Sequence, residues 1–299
     1  MTKTTRDAMT NPDQAPWQRL GYKLKLGLRA RDESEWLPFD DLFGDDAARA
    51  RQMAEKQSLL ADRHKDVFAA MPGSEPAGQE VLAMVQAHLQ AHHSYTPAPT
   101  PKDNDNLHPL DMAARLIPED LLLLEPRFRA NGGAAGDYDW CLVAASLCFP
   151  AHWVLAEKMD KPLAEIHAPV PGYQERLATP MDRFFTNMKV GPISSRMNWS
   201  LQLGDELFAP HRSSRKAAVS DMDSEAMCLR VESQTLRKLP ETGHVLFTIR
   251  THMVPMARWR DVPGAFESLI EMLEDMSPQA RDYKGAHLYQ DALRKSVVG

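Results

Sequence analysis

The sequence predicts an α+β protein, and three observations predict it. Segments toward both ends carry apolar residues at helical spacing. Three neighbouring segments, 193–203, 227–236 and 244–254, alternate apolar and polar residues with period two. The order is helices, then strands, then helices, which segregates the two element types as an α+β fold does.

The first zone, residues 17–118, reads as mainly helical. Residues 45–71 are rich in Ala, Arg, Lys and Gln, with Met53, Leu60, Val67, Phe68 and Met71 near one stripe. Pro72, Gly73 and Pro76 punctuate its end. A second helix over 79–93 puts Leu82, Val85 and Leu89 on one face, and residues 96–101 form a Pro-rich connector.

The second zone, residues 119–255, holds the strands. Residues 121–124 are a short apolar run, and 140–149 read as a buried strand. A helical piece around 153–159 precedes a Pro-punctuated loop, 166–172. Residues 173–189 read as a helix broken at Pro180. The segment 193–203 sets Ile193, Met197, Trp199, Leu201 and Leu203 against Arg196, Asn198, Ser200 and Gln202. The next sets Met227, Leu229 and Val231 against Arg230, Glu232 and Gln234. The last sets Val245, Phe247, Ile249 and Met253 against Leu246, Thr248, Arg250 and His252. Together these predict an antiparallel sheet with one apolar face. The third zone, residues 256–299, is helical again, over 265–276 and 287–295. The whole reads as one domain over 17–299, preceded by a flexible lead, 1–16.

With 299 residues, 43% hydrophobic and 25% charged, the composition is that of a soluble globular protein. Such a chain buries a sizeable core without disulfides. The net charge is −6 and no Lys/Arg block occurs, so no nucleic-acid footprint is present. An acidic surface suits cationic substrates such as amines through field steering. Cys141, Cys148 and Cys228 are too few and too oddly spaced for a disulfide scaffold and read as small buried hydrophobes. The polar start resembles neither a signal nor a transit peptide. No apolar run reaches the roughly 18 residues a membrane span needs, and the expected location is the cytoplasm.

Absent motifs narrow the chemistry. No G-x-G-x-x-G follows a strand and no Walker A sequence occurs; Gly132, Gly133 and Gly136 lack that spacing. Three cysteines cannot supply the four thiolates of an ordinary iron–sulfur cluster. Neither C-x-x-C-H nor H-E-x-x-H is present. If redox chemistry takes place here, its electrons come from elsewhere.

His167 stands in Glu165-Ile166-His167-Ala168-Pro169-Val170-Pro171, where flanking prolines preset the backbone. A preset backbone holds an imidazole at one angle, as an axial ligand or catalytic base requires; a hydrogen-bonded loop histidine is the plainer alternative. The polar sides of the three strands form a second constellation. If they align, Arg196, Asn198, Arg230, Glu232, Gln234, Thr248 and Arg250 share one surface. There Glu232 can accept from an ammonium and an arginine can hold a carboxylate; a solvated sheet face with ordinary ion pairs is the alternative. His88, His92 and His93 read as exposed helix histidines, and His108 before Pro109 as a cap or turn. Trp153, Phe184, Phe185, Trp199 and Phe247 either wall a flat cofactor or are simply core.

These residues also resemble a known family. The stretches are Phe149-Pro150-x-x-Trp153, Glu157-Lys158, Ile166-His167-x-Pro169-Val170-Pro171 and Asp182-Arg183-Phe184-Phe185. They continue with Arg196-x-Asn198-Trp199, Arg230-x-Glu232-x-Gln234-Thr235-Leu236, Leu239-Pro240, Thr242-Gly243 and Phe247-x-Ile249-Arg250-Thr251. Together they are similar to the haem-dependent oxidative N-demethylases of the alpha-subunit type. The resemblance implies a PAS-like haem-binding core with helical additions at both ends. It implies non-covalent haem b with a histidine axial ligand, His167 by position. It implies O2-dependent demethylation of a small secondary amine such as dimethylamine, giving formaldehyde and the primary amine. Electrons would come from NADPH through a separate flavin/iron–sulfur reductase subunit. Glu232 is then the expected amine-binding group, with Arg196 beside it in the catalytic pocket. Asn198 and Arg250 are expected cofactor contacts. Ser233 departs from the arginine usual in that family. A PAS-type haem sensor without turnover is the alternative reading.

Overall fold

The computed structural model describes residues 14–20, 26–43, 45, 47–95, 106–128, 138–211 and 227–298. The lead up to residue 13, the connector at 96–101 and the loop containing Gly132, Gly133 and Gly136 lie outside the described residues. The strands are β1 (Arg29–Arg31), β2 (Phe68–Ala70), β3 (Asp120–Phe128), β4 (Tyr138–Ser146), β5 (Ile193–Leu203), β6 (Met227–Lys238) and β7 (Val245–Pro255). The helices are α1 (Pro16–Leu20), α2 (Ala48–Asp62), α3 (His64–Val67), α4 (Glu75–His93), α5 (Pro109–Ala114), α6 (Leu163–Ile166), α7 (Thr179–Thr186), α8 (Ala265–Glu274), α9 (Pro278–Lys284) and α10 (Ala286–Val298). The fold is α+β, around a sheet ordered β1-β5-β6-β7-β3-β4-β2 with every pairing antiparallel.

Period-two alternation forms strands wherever it was read, and β5 keeps the expected bounds. Both faces of the sheet are covered, however, rather than one. The Met227, Leu229 and Val231 side packs under α8 and α10 with Phe266, Leu269 and Leu293. The same side of β3 and β7, through Leu121, Leu123 and Leu246, packs on α4 and α5. The other side, through Leu122, Leu124, Leu236 and Phe247, meets Ile166, Phe184 and Phe185 from the segment linking β4 to β5. Burial on both sides is why 121–124 read as a continuous apolar run instead of an alternating one.

The predicted helix over 45–71 stops early. It breaks at Arg63 (φ −131°, ψ 32°) and gives way to β2. The Leu147 N–H donates to the Val67 carbonyl at 2.7 Å and the Met71 N–H to the Val143 carbonyl at 2.7 Å. Pairing with β4 outweighs the helical propensity of Phe68-Ala69-Ala70. The buried face of α2 keeps Leu60 from the apolar stripe but is completed by Gln52 and Lys56. Lys56 Nζ donates to the carbonyls of Ile117 and Glu119, at 3.1 and 2.5 Å. At the N-terminal end the packed chain begins before the expected boundary, since Ala15 is buried with the C-terminal helices. Pro180 does not break its helix: it sits in the first turn of α7, directly after a π-helical turn, Gln174–Ala178. There its missing N–H costs nothing.

Two buried charges fix where the β4-to-β5 segment departs from the sheet. Asp120 accepts from the Cys148 and Phe149 N–H groups, at 2.8 and 2.9 Å. From β6, Arg230 donates to the Phe149 carbonyl and, at 3.2 Å, to the Leu207 carbonyl. The corner closes with Ala209 N–H to Pro150 O at 3.1 Å and His152 N–H to Ala209 O at 2.7 Å. Burial pushes the Asp120 carboxyl up to about 6, against the pull of Lys56 and the two N–H groups.

The folded Asp120 carboxyl therefore holds its proton more tightly than the unfolded one, and folding takes up a proton between the two pKa values. Unfolding free energies of the wild type and Asp120→Asn, measured from pH 4 to 7, check this. The wild type should lose stability relative to the variant, by up to about 3 kcal/mol, as the pH rises to about 6. A flat or rising difference would contradict the assignment.

Candidate functional site

The β4-to-β5 segment lays α6, the His167 turn and α7 over the sheet side that carries Leu122, Phe247 and Ile249. His167 caps the C-terminus of the four-residue α6. Its Nδ1 lies 2.8 Å from the Leu163 carbonyl and its ring stacks on Tyr173, 4.9 Å between centroids and 9° between planes. A carbonyl can only accept, so Nδ1 carries the proton and Nε2 the lone pair. Among the described residues Nε2 has no hydrogen-bond partner. Burial, with a smaller push from Arg196 and Lys158, holds this imidazole below its usual range and favours the neutral ring. A neutral ring with Nδ1 tied to a carbonyl and Nε2 open is what a metal-ligating histidine needs.

Sheet register decides which polar residues face His167. Arg196 pairs with Gln234, and Asn198 with Glu232. Across the next pairing Gln234 meets Ile249 and Glu232 meets Thr251. Arg196, Asn198, Arg230, Glu232 and Gln234 thus share the face covered by the His167 segment. Glu232 accepts from Gln234 Nε2 at 2.9 Å, Asn198 Nδ2 at 3.3 Å and Arg230 Nε at 3.5 Å. Arg196 makes no hydrogen bond among the described residues, and its Nε is buried without an acceptor. Desolvation lowers its pKa, opposed by the charge of Glu232.

Arg250 is a correction. It pairs with Ser233, and Thr248 with Thr235, so both side chains leave from the opposite face. The polar side of β7 aligns with the apolar side of β6, because the antiparallel register is set by packing on both faces and not by matching polar sets. Arg230 differs too: it is 1% exposed and serves as a buried strut. The strand pattern flagged it as polar but held no signal of its partners, the carbonyls of Phe149 and Leu207. His88 is buried rather than exposed, edge-on to Trp36, while His93 stacks on Phe39. His108 caps α5 as expected, accepting from the Leu110 N–H at 3.1 Å. Trp199 belongs to the core under the C-terminal helices, whereas Trp153, Phe184, Phe185 and Phe247 lie on the His167 side. All three cysteines are free and buried.

Residues 88–294 match the family described as "Haem-dependent oxidative N-demethylase, alpha subunit-like". The chain belongs to this family. Haem dependence, oxidative N-demethylation and a place like that of an alpha subunit in a multi-subunit enzyme are what the family's description carries. No group of three or more His, Cys, Asp or Glu side chains able to hold a metal ion by itself occurs among the described residues. Haem asks for less, since the porphyrin fills the equatorial positions and the protein need supply one axial nitrogen. The residues fit that demand: an open imidazole nitrogen, an apolar aromatic wall, and an arginine, without a partner among the described residues, suited to a propionate. No helix of the described residues is long and apolar enough to cross a membrane.

Long-range proton–nitrogen NMR of the haem-free chain at neutral pH tests the tautomer. His167 should show the Nδ1-protonated pattern. The Nε2-protonated pattern would mean that the Leu163 bond does not orient the ring.

Proposed function

We propose that this chain binds non-covalent haem b through His167 and demethylates a small secondary amine of the dimethylamine kind. The products are the primary amine and formaldehyde. The reaction consumes one O2, two electrons and two protons, and releases one water. The electrons originate in NADPH and arrive through a separate flavin/iron–sulfur reductase subunit. The observation that carries this reading is the His167 imidazole, whose Nδ1 is tied to Leu163 while Nε2 stays open on a largely apolar face. A PAS-like core is supported by the strand order. β3 and β4 form a hairpin, β5 to β7 a meander, and β7 closes on β3 with the His167 crossover lying between the two halves.

Bound haem supplies the O2 activation, and the chain's own groups handle the amine. A secondary amine arrives protonated, so its ammonium needs an acceptor in a site poor in water. Glu232 is that acceptor: Oε2 takes bonds from Asn198 and Gln234, and Oε1 takes only the long one from Arg230. The remaining lone pair on Oε1 receives an amine N–H and then the proton itself. Asn198, expected among the cofactor contacts, acts here as the residue that positions Glu232. Arg196, with no hydrogen-bond partner among the described residues, would hold a propionate. Trp153, Phe184 and Phe247 exclude water from the flat cofactor and the methyl group.

Reconstitution with haemin followed by turnover with the reductase tests both assignments. His167→Ala should lose the native Soret spectrum and the haemochromogen yield. Glu232→Gln should keep haem but raise KM for dimethylamine roughly ten- to hundredfold, the loss of one charge-assisted hydrogen bond. An unchanged spectrum in the first variant, or unchanged turnover at low amine in the second, would overturn the corresponding role.

A further inference from the structure

On the sheet face opposite His167 lies a cavity of about 300 Å³. Its floor is formed by β6 and β7 through Ser233, Thr235, Thr248 and Arg250, and its rim by residues 34–40, where Ser34 and Asp40 are exposed. Five ionic side chains line it: Arg31, Glu35 and Asp40, which are half-buried or exposed, and two that are buried, Arg250 and Glu119. Arg250 is 2% exposed, and none of its three guanidinium nitrogens has a hydrogen-bond partner among the described residues. Glu119 is also 2% exposed, and both of its carboxylate oxygens are unpartnered in the same sense. The charge of each acts on the other, yet they form no ion pair among the described residues.

Several neighbours lining the cavity are engaged with other partners. His252 Nδ1 is 2.9 Å from Asp41 Oδ2, Thr235 and Thr248 bond to each other at 2.5 Å, and His93 Nε2 is 2.8 Å from the Leu37 carbonyl. The backbone at Glu119 is pinned by Lys56, and Arg250 sits in a paired strand, so the two backbones hold their places around the cavity. A buried charge left without a partner is strongly destabilising, and a fold that keeps two of them facing one cavity provides for what enters it.

We propose that this cavity binds a compact zwitterion, a molecule of amino-acid size carrying one carboxylate and one ammonium group. Its carboxylate takes the fork of Arg250, and its ammonium donates to Glu119. Of the two buried groups, a simple anion would satisfy only Arg250 and add to the negative charge of Glu119. A simple amine would satisfy only Glu119. Trp36 and Phe39 add an aromatic part to the lining. This site lies on the other side of the sheet from His167, so it does not rest on the haem reading.

Calorimetric titration of the full chain with glycine, β-alanine, acetate and methylammonium tests it. One of the two zwitterions should bind at one per chain, at least about tenfold more tightly than acetate or methylammonium. Glu119→Gln and Arg250→Gln should each weaken that binding about tenfold or more, with circular dichroism confirming the fold. Glu119→Gln is isosteric and decides the matter if the arginine variant unfolds. Failure of the wild-type chain to bind either zwitterion would overturn the proposal and leave the cavity to ordered water. Equal binding of acetate, or full binding in a folded Glu119→Gln chain, would overturn it as well.

Discussion

Phe149 is held by both sides of its backbone. Asp120 at the start of β3 takes its N–H, and Arg230 in the middle of β6 takes its carbonyl. Both side chains are buried, so the bonds form where water cannot compete. The corner they fix is the point from which the chain leaves the sheet and crosses back to β5. Everything on that crossover, including α6, the His167 turn and α7, inherits its position from this clamp. Arg230 reaches the Leu207 carbonyl and Glu232 as well, so one guanidinium ties the departure of the crossover, the loop after β5 and the candidate carboxylate to a single strand.

The sheet separates two environments that a one-faced sheet would have merged. On one face, an open imidazole nitrogen, an unpaired arginine and a carboxylate held by two amides surround an aromatic apolar surface. On the other, a buried arginine and a buried glutamate, with no hydrogen-bond partner among the described residues, line a separate cavity. Arg196 and Arg250 look alike in the sequence, each one residue of an alternating strand. Register alone sends them to opposite sides.

Much of this was legible because alternation and apolar periodicity report burial directly. The strands β5 to β7, the helix α4 and the C-terminal helix carrying Phe266 and Leu269 follow from their patterns, and the family from its motifs. What stayed hidden depends on contacts distant in sequence. Strand β2 forms only because β4 is there to pair with it. Lys56 and Gln52 are buried because carbonyls at Ile117, Glu119 and Thr251 need donors. Whether the polar sets of β6 and β7 align depends on their register, which no property of either strand alone reveals. His167 was visible as a residue held between prolines, but its carbonyl partner and its stacking on Tyr173 were not.

The central claim is that haem sits between the sheet and the crossover, with His167 Nε2 on the iron. Anomalous diffraction at the iron edge from crystals of the haem-loaded chain tests it most directly. The account predicts one iron peak within bonding distance of His167 Nε2, on the face that carries Glu232. An iron peak in the Arg250 cavity, or at any other histidine, would contradict it.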